Sequence, residues 1–176
     1  MKKICFTGYR PFKLPFKIDK SDLLYINFYK RAYSLIREQI ECGNTYFICG
    51  MAQGADLLLA RIVLRLKTIY SEVFLECALP FVCQSEKWTA KHKNLYDDIL
   101  KQCDKVTVLS ECYRIDAYLK RNKYMVDNSD IVIAVFDGKK GGTKFTCDYA
   151  LKKGKQLIVL NPKQNETVMQ TEIKLL

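Results

Sequence analysis

The strongest constraint on what this chain can fold into is an alternation. Six apolar runs, KKICF (2–6), TYFIC (45–49), VFLECAL (73–79), KVTVL (105–109), DIVIAVF (130–136) and QLIVL (156–160), are separated by segments with helical periodicity. Alternation of this kind specifies a parallel sheet. The runs are continuously apolar instead of alternating, as expected for strands covered by helices on both faces. The pattern predicts the α/β class: a single-domain, Rossmann-like three-layer fold around a mostly parallel sheet of about six strands. A chain of 176 residues supports one sizeable core. The expected domain covers residues 1–162, followed by a tail, 163–176, with no clear structure.

Between the first two runs, Tyr25, Tyr29, Ala32, Ile36 and Ile40 recur at the spacing of one buried helical stripe, predicting a helix from about Ser21 to Cys42. Ser21 or Asp19 is placed to cap its start, and Gly43 its end. The next helix, about Ala55 to Ile69, is apolar around most of its circumference, with Arg61 and Arg65 on a narrow polar edge. A second surface must cover it, either another helix of the chain or a symmetry mate in a homodimer. Further helices are predicted over the segment from Cys83 to Cys103, over Asp116 to Asn128, and over Thr143 to Lys153, the last ended by Gly154.

Composition narrows the function classes. No apolar run approaches the roughly 20 residues of a membrane helix, and the basic start MKKICFTGYR reaches Gly8 and Arg10 before a signal-peptide core can form. A cytoplasmic protein without membrane partners is expected. The eight cysteines form no Cys-x-x-Cys pair and the only histidine is His92, so neither a disulfide framework, a zinc site nor histidine-based catalysis is indicated. No metal is expected. The net charge of +10 invites anionic partners, but the basic residues are dispersed along the chain, the pattern of a solvated surface.

In a parallel sheet the loops leaving the carboxyl ends of the strands gather along one edge, where ligands bind. The first such loop, TGYRP, offers the Thr7 hydroxyl, Gly8 for close approach, Tyr9 for stacking on a base or ribose and Arg10 for a bidentate grip on phosphate. The second, GMAQGAD, offers Gly50, Met51, Ala52, Gly54 and Asp56 before a helix whose first amides form an anion site, unless its glycines serve packing alone. Asp137, Gly138, Gly141, Gly142 and Thr143, in DGKKGGT, repeat that arrangement at a second helix start and add Lys139, Lys140 and Lys144. Pro80 and Phe81 end the third strand, and Trp88 follows as a core residue or a stacking surface. The spacings are neither those of a Walker loop nor those of a dinucleotide-binding fingerprint.

Taken together, TGYRP, GMAQGADL, ALPF followed by Trp88, RNKYMVDNSD and VFDGKKGGTKFTCDYALKKGKQLIVLNP resemble the YpsA-like branch of the SLOG superfamily, from about Lys2 to Pro162. The resemblance implies a Rossmann-like domain that binds a nucleotide-derived ligand, such as an ADP-ribose derivative, an NAD-related molecule or a nucleoside phosphate. It also brings forward Arg121, Asn122 and Asp127, which otherwise serve capping and surface pairing. Phosphoribohydrolases of the same superfamily carry Pro-Gly-Gly-x-Gly-Thr-x-x-Glu, where this chain reads GKKGGTKFT and puts Thr146 in place of the carboxylate. Catalytic residues are therefore not assigned. A nucleotide or N-glycosidic hydrolase using Asp56, Asp137 or Asp148 as base is the alternative. Single-stranded nucleic-acid binding, as in the DNA-processing branch, is the third reading, without an evident basic and aromatic strip.

Overall fold

The computed structural model describes residues 1–164 and 167–170. Seven strands form one sheet: β1 (Lys3–Gly8), β2 (Tyr46–Cys49), β3 (Phe74–Leu79), β4 (Lys105–Val108), β5 (Ile131–Val135), β6 (Gln156–Leu160) and β7 (Thr167–Gln170). Their order is β4-β3-β2-β1-β5-β6-β7, with β1 to β6 parallel and β7 antiparallel to β6. The helices are α1 (Leu23–Glu41), α2 (Ala55–Lys67), α3 (Ala90–Gln102), α4 (Ala117–Asp127) and α5 (Gly142–Lys152). The architecture is the α/β Rossmann-like one that the alternation predicts.

From β1 the chain winds outward through β2 and β3 to β4, then returns to β5 on the other side of β1. Right-handed crossovers put α1 to α3 on one face and α4 and α5 on the opposite face. The packing agrees, since α2 lies against both α1 and α3, and α4 lies against α5. The direction of winding reverses between β1 and β5, and the carboxyl ends of these two strands open the crevice of a topological switch point.

Several sequence expectations are corrected in detail. The cap of α1 is Asp22, not Ser21 or Asp19: its carboxylate accepts the amides of Leu24 (2.9 Å) and Tyr25 (3.2 Å). Asp19 instead accepts from Ser21 one turn earlier. Residues 82–87 form turns, so α3 begins only at Ala90. α2 is covered by α1 and α3 of its own chain, which removes the reason for invoking a symmetry mate. β4 is not covered on both faces; it is an edge strand with Val106 and Val108 nearly half exposed. Part of the unassigned tail supplies β7, while residues 165–166 and 171–176 lie outside the described residues.

The end of α5 matches the expected cap. Gly154 stands at positive φ after α5, and the Gly154 and Lys155 amides close onto the Leu151 and Ala150 carbonyls, the double bond of a Schellman end. Cys5, Cys49, Cys77 and Cys147 are buried in the core, and burial pushes the Cys5 and Cys147 thiols up to about 12, so these behave as small hydrophobes. Among the described residues no helix is long and apolar enough to cross a membrane, and no group of three or more His, Cys, Asp and Glu is placed to hold a metal ion.

Candidate functional site

The crevice is built by fitting three loops against one another at the end of β1. Gly8 lacks a side chain because Val135 and Ala55 crowd it; a Cβ there would stand 2.9 Å from that of Val135. The Tyr9 amide donates to the Val135 carbonyl (3.0 Å), and its own carbonyl accepts the Ala55 amide (3.0 Å), so the β1 loop is clamped between β5 and the start of α2. Gly54, at φ 97°, permits that clamp, since a Cβ would be driven into the Tyr9 carbonyl and would stand 3.0 Å from Arg10 Cα. Gly54 thus serves the approach of two backbones.

The amino terminus of α2 carries its own anion. The Asp56 carboxylate is buried in the first turn, where Oδ2 accepts the Ala52 amide (3.3 Å). Opposite it lies the buried Arg121 of α4, with Nη1 3.9 Å from Asp56 Oδ2. Arg121 crosses the sheet end through the space left by Gly50, where a Cβ would stand 2.6 Å from Arg121 Cζ and 2.8 Å from Asp56 Oδ2. Burial raises the Asp56 pKa while Arg121 and then Arg10 pull it back; burial lowers that of Arg121 while Asp56 opposes. Two amides of the GMAQGAD loop are thus already taken, that of Ala52 by Asp56 and that of Ala55 by the Tyr9 carbonyl, and a carboxylate occupies the first turn of α2 where a phosphate cradle was expected.

The amino terminus of α5 is the contrasting case. It has no side-chain cap and no acid in its first turn, Gly141 and Gly142 are exposed, and a Cβ on Gly142 would meet nothing within 4 Å. Its first amides and positive dipole end face open space. Lys13 reaches in from the turn after β1, its Nζ 3.2 Å from where a Cβ of Gly141 would be and 5.7 Å from the Tyr9 ring centre. Behind the loop, Arg121 Nε donates to Asn122 Oδ1 (2.9 Å), Asn122 Nδ2 to Thr146 Oγ1 (3.0 Å), and Thr146 Oγ1 to the Gly142 carbonyl (2.9 Å). This chain of hydrogen bonds ties the α5 terminus to the buried pair.

Asp137 closes the crevice. The Tyr9 hydroxyl donates to its Oδ1, and Lys163 Nζ lies 2.7 Å from its Oδ2, with Lys139 Nζ at 3.9 Å. Lys163 and then Tyr9 hold the Asp137 carboxyl well below the usual carboxylate range, whereas desolvation and Asp137 raise the Tyr9 phenol. Asp148, on an outer turn of α5, is exposed and paired with Lys144, and Asp127 accepts from the Tyr149 hydroxyl. A general base works best with a pKa near the operating pH. Asp137 lies far below it, Asp56 is sealed against Arg121, and Asp148 faces solvent beside a lysine.

Of the sequence-predicted residues, Arg10, Gly138, Gly141, Gly142 and Thr143 stand accessible along the crevice, whereas Tyr9 is buried and the Asp137 side chain is only 8% exposed. Thr7 is buried beside Ala134 of β5. Met51 and Ala52 are buried as well; the Met51 carbonyl accepts from Gln84 Nε2 (3.0 Å), with Met51 at φ 56°. Pro80 is buried at the end of β3, Phe81 packs edge-on against Tyr113 and Tyr118, and Trp88 packs edge-on against Tyr96 at 5.3 Å, partly buried on the core. Lys13, Lys163, Tyr113 and Tyr118 were missed. A Lys or Tyr outside a glycine loop carries no local signal of a site.

Fold and crevice together define a Rossmann-like α/β protein with an uncapped helix end open at the β1–β5 switch point. The family model described as the YspA SLOG family (YpsA) matches residues 4–165, and the chain belongs to this family. It is similar to a UPF0398 protein of Bacillus pumilus, at 33% identity over 148 residues, 81% of this chain and 77% of that one. Two solved structures share the fold. DNA processing protein A from Helicobacter pylori, described for its single-stranded DNA binding mode, matches with a TM-score of 0.60 at 19% identity over 90% of this chain. DNA processing protein A from Streptococcus pneumoniae matches with a TM-score of 0.57 at 17% identity over 89% of this chain. The chain spans 64% and 49% of the lengths of those two proteins.

Proposed function

We propose that this protein binds a nucleotide-derived ligand of the ADP-ribose, NAD-related or nucleoside-phosphate type, with phosphate seated at the amino terminus of α5. The observation that carries this reading is the contrast between two helix starts on one edge. α2 is filled by Asp56, whereas α5 presents Gly142 and Thr143 uncapped beside Lys13. Arg10 and Lys13 supply positive charge on the β1 side, while the buried Tyr9 and its Asp137 partner brace the loop behind them. Binding is favoured over hydrolysis because Asp137 is held well below the usual carboxylate range, Asp148 faces solvent, and Asp56, though raised by burial, is enclosed against Arg121 away from the α5 terminus.

Gly142→Asp tests the seat. The new carboxylate suits the first turn of a helix, so the fold is retained. Placed where the phosphate would lie, it weakens ADP-ribose by at least about tenfold through like-charge repulsion. Calorimetric titration and ligand-induced thermal shift check this, because a ligand selective for the folded state raises its melting temperature. A folded wild type that gives no shift with millimolar ADP-ribose, NAD and nucleoside phosphates overturns the reading.

Single-stranded nucleic acid is the second reading, supported by the fold shared with the two DNA processing proteins and by the net charge of +10. It requires oligonucleotide affinity that falls steeply with salt as counterions are released. Flat or absent binding across a salt series disposes of it.

A further inference from the structure

A cavity of about 640 Å³ opens at the carboxyl ends of β3 and β4, away from the α5 terminus. Pro80, Val82, Val108 and Leu109 give it apolar walls, and its charged lining is mixed, with Arg114, Glu111 and the Asp116–Lys120 ion pair (2.9 Å). Three rings lead from it toward the crevice. Phe81 contacts Tyr113 (centroids 5.4 Å apart) and Tyr118 (5.8 Å), and the Arg10 guanidinium lies over Tyr118 at 5.7 Å. Arg10 therefore touches the aromatic group on one side and leaves the end of β1 on the other.

Neighbouring strands lie about 4.8 Å apart, so the cavity is two to three spacings from β1, about 10–14 Å, and three to four from β5, about 14–19 Å. A mononucleotide with its phosphate on α5 ends short of it. A molecule with two heterocycles joined by a diphosphate reaches, its phosphates running between the α5 terminus and Arg10. The wall chemistry suits such an end, since apolar side chains and ring faces receive a flat heterocycle while the carboxylates of Glu111 and Asp116 can accept from its ribose hydroxyls and Arg114 can face a phosphate oxygen.

We propose that this cavity, with Tyr113 and Tyr118, is the second subsite of a dinucleotide ligand and takes the heterocycle far from α5. The inference rests on the phosphate seat proposed above and adds the ligand's length. ADP and NAD are the probes. Wild type binds NAD about tenfold or more tightly than ADP, the order of one base stacked on an aromatic ring.

Tyr113→Ala, at a residue 62% exposed whose loss spares the core, and Val108→Glu, on the edge strand, both bring NAD down to the ADP level. Both leave ADP within about twofold of wild type. Equal losses for NAD and ADP, or no loss in either variant, overturn the subsite while leaving the phosphate seat intact. Wild type that binds neither probe overturns the seat itself. An oligonucleotide that binds where NAD does not, with losses in both variants and a steep salt dependence, overturns the dinucleotide assignment in favour of a strand.

Discussion

Arg121→Met lowers the free energy of unfolding by about 3–5 kcal/mol at neutral pH, because it leaves the Asp56 carboxylate buried without its cation. Asp56 and Arg121 are both almost fully buried, and the pair sits where two faces of the sheet meet above β2. The loss depends on pH in a defined direction. Burial raises the folded-state pKa of Asp56 above its unfolded value even with Arg121 present, and removal of the cation raises it further. Between the unfolded pKa and the raised folded one, the folded state binds more protons than the unfolded state, so stability falls as pH rises through that window. The variant accordingly recovers part of its deficit on acidification, where Asp56 becomes protonated. Urea unfolding at pH 7 and at mildly acidic pH measures both parts. The double variant Asp56→Leu with Arg121→Met is expected to be more stable than Arg121→Met alone, since an apolar pair leaves no uncompensated charge.

Gly54→Ala is the second large effect, about 3 kcal/mol or more. Two costs combine: φ of 97° disfavours any side chain, and the new methyl group is forced against the Tyr9 carbonyl, a backbone atom that cannot swing aside. The displaced β1 loop carries Tyr9 and Arg10, so the crevice opens as stability falls. Gly142→Ala is the control. Its Cβ meets open space and its backbone is helical, so thermal or urea unfolding places it within about 0.5 kcal/mol of wild type.

These two glycines show what was legible in the sequence. The strand runs, the helices and the gathering of loops at one edge follow from hydrophobic period and turn chemistry, which are local. Gly54 and Gly142 look alike at that level, each a glycine at the start of a helix. Only tertiary packing separates them, because the backbone of Tyr9 and Arg10 fills the space beside one and nothing fills the space beside the other. Asp56 misled for the same reason. An acid in the first turn of a helix reads equally as a ligand contact or as a built-in counter-charge, and Arg121, 65 positions later, decides between them.

β7 was illegible because four residues, TVMQ, become a strand through the edge of β6 they pair with, not through a pattern of their own. The Lys163–Asp137 contact was lost with the same tail, set aside as lacking assignable structure. Arg121 itself was legible as a site candidate but not as a buried one, since the pairing partner that makes burial tolerable lies on another element.

Titration of isotope-labelled protein with ADP-ribose, followed through its backbone amide resonances, tests the central claim most directly. The account predicts that the largest saturable shifts fall on Gly141, Gly142, Thr143 and Arg10, with Asp56 and its neighbours in α2 changing little. Shifts centred on the start of α2, or saturable binding that leaves the α5 terminus unmoved, would contradict it.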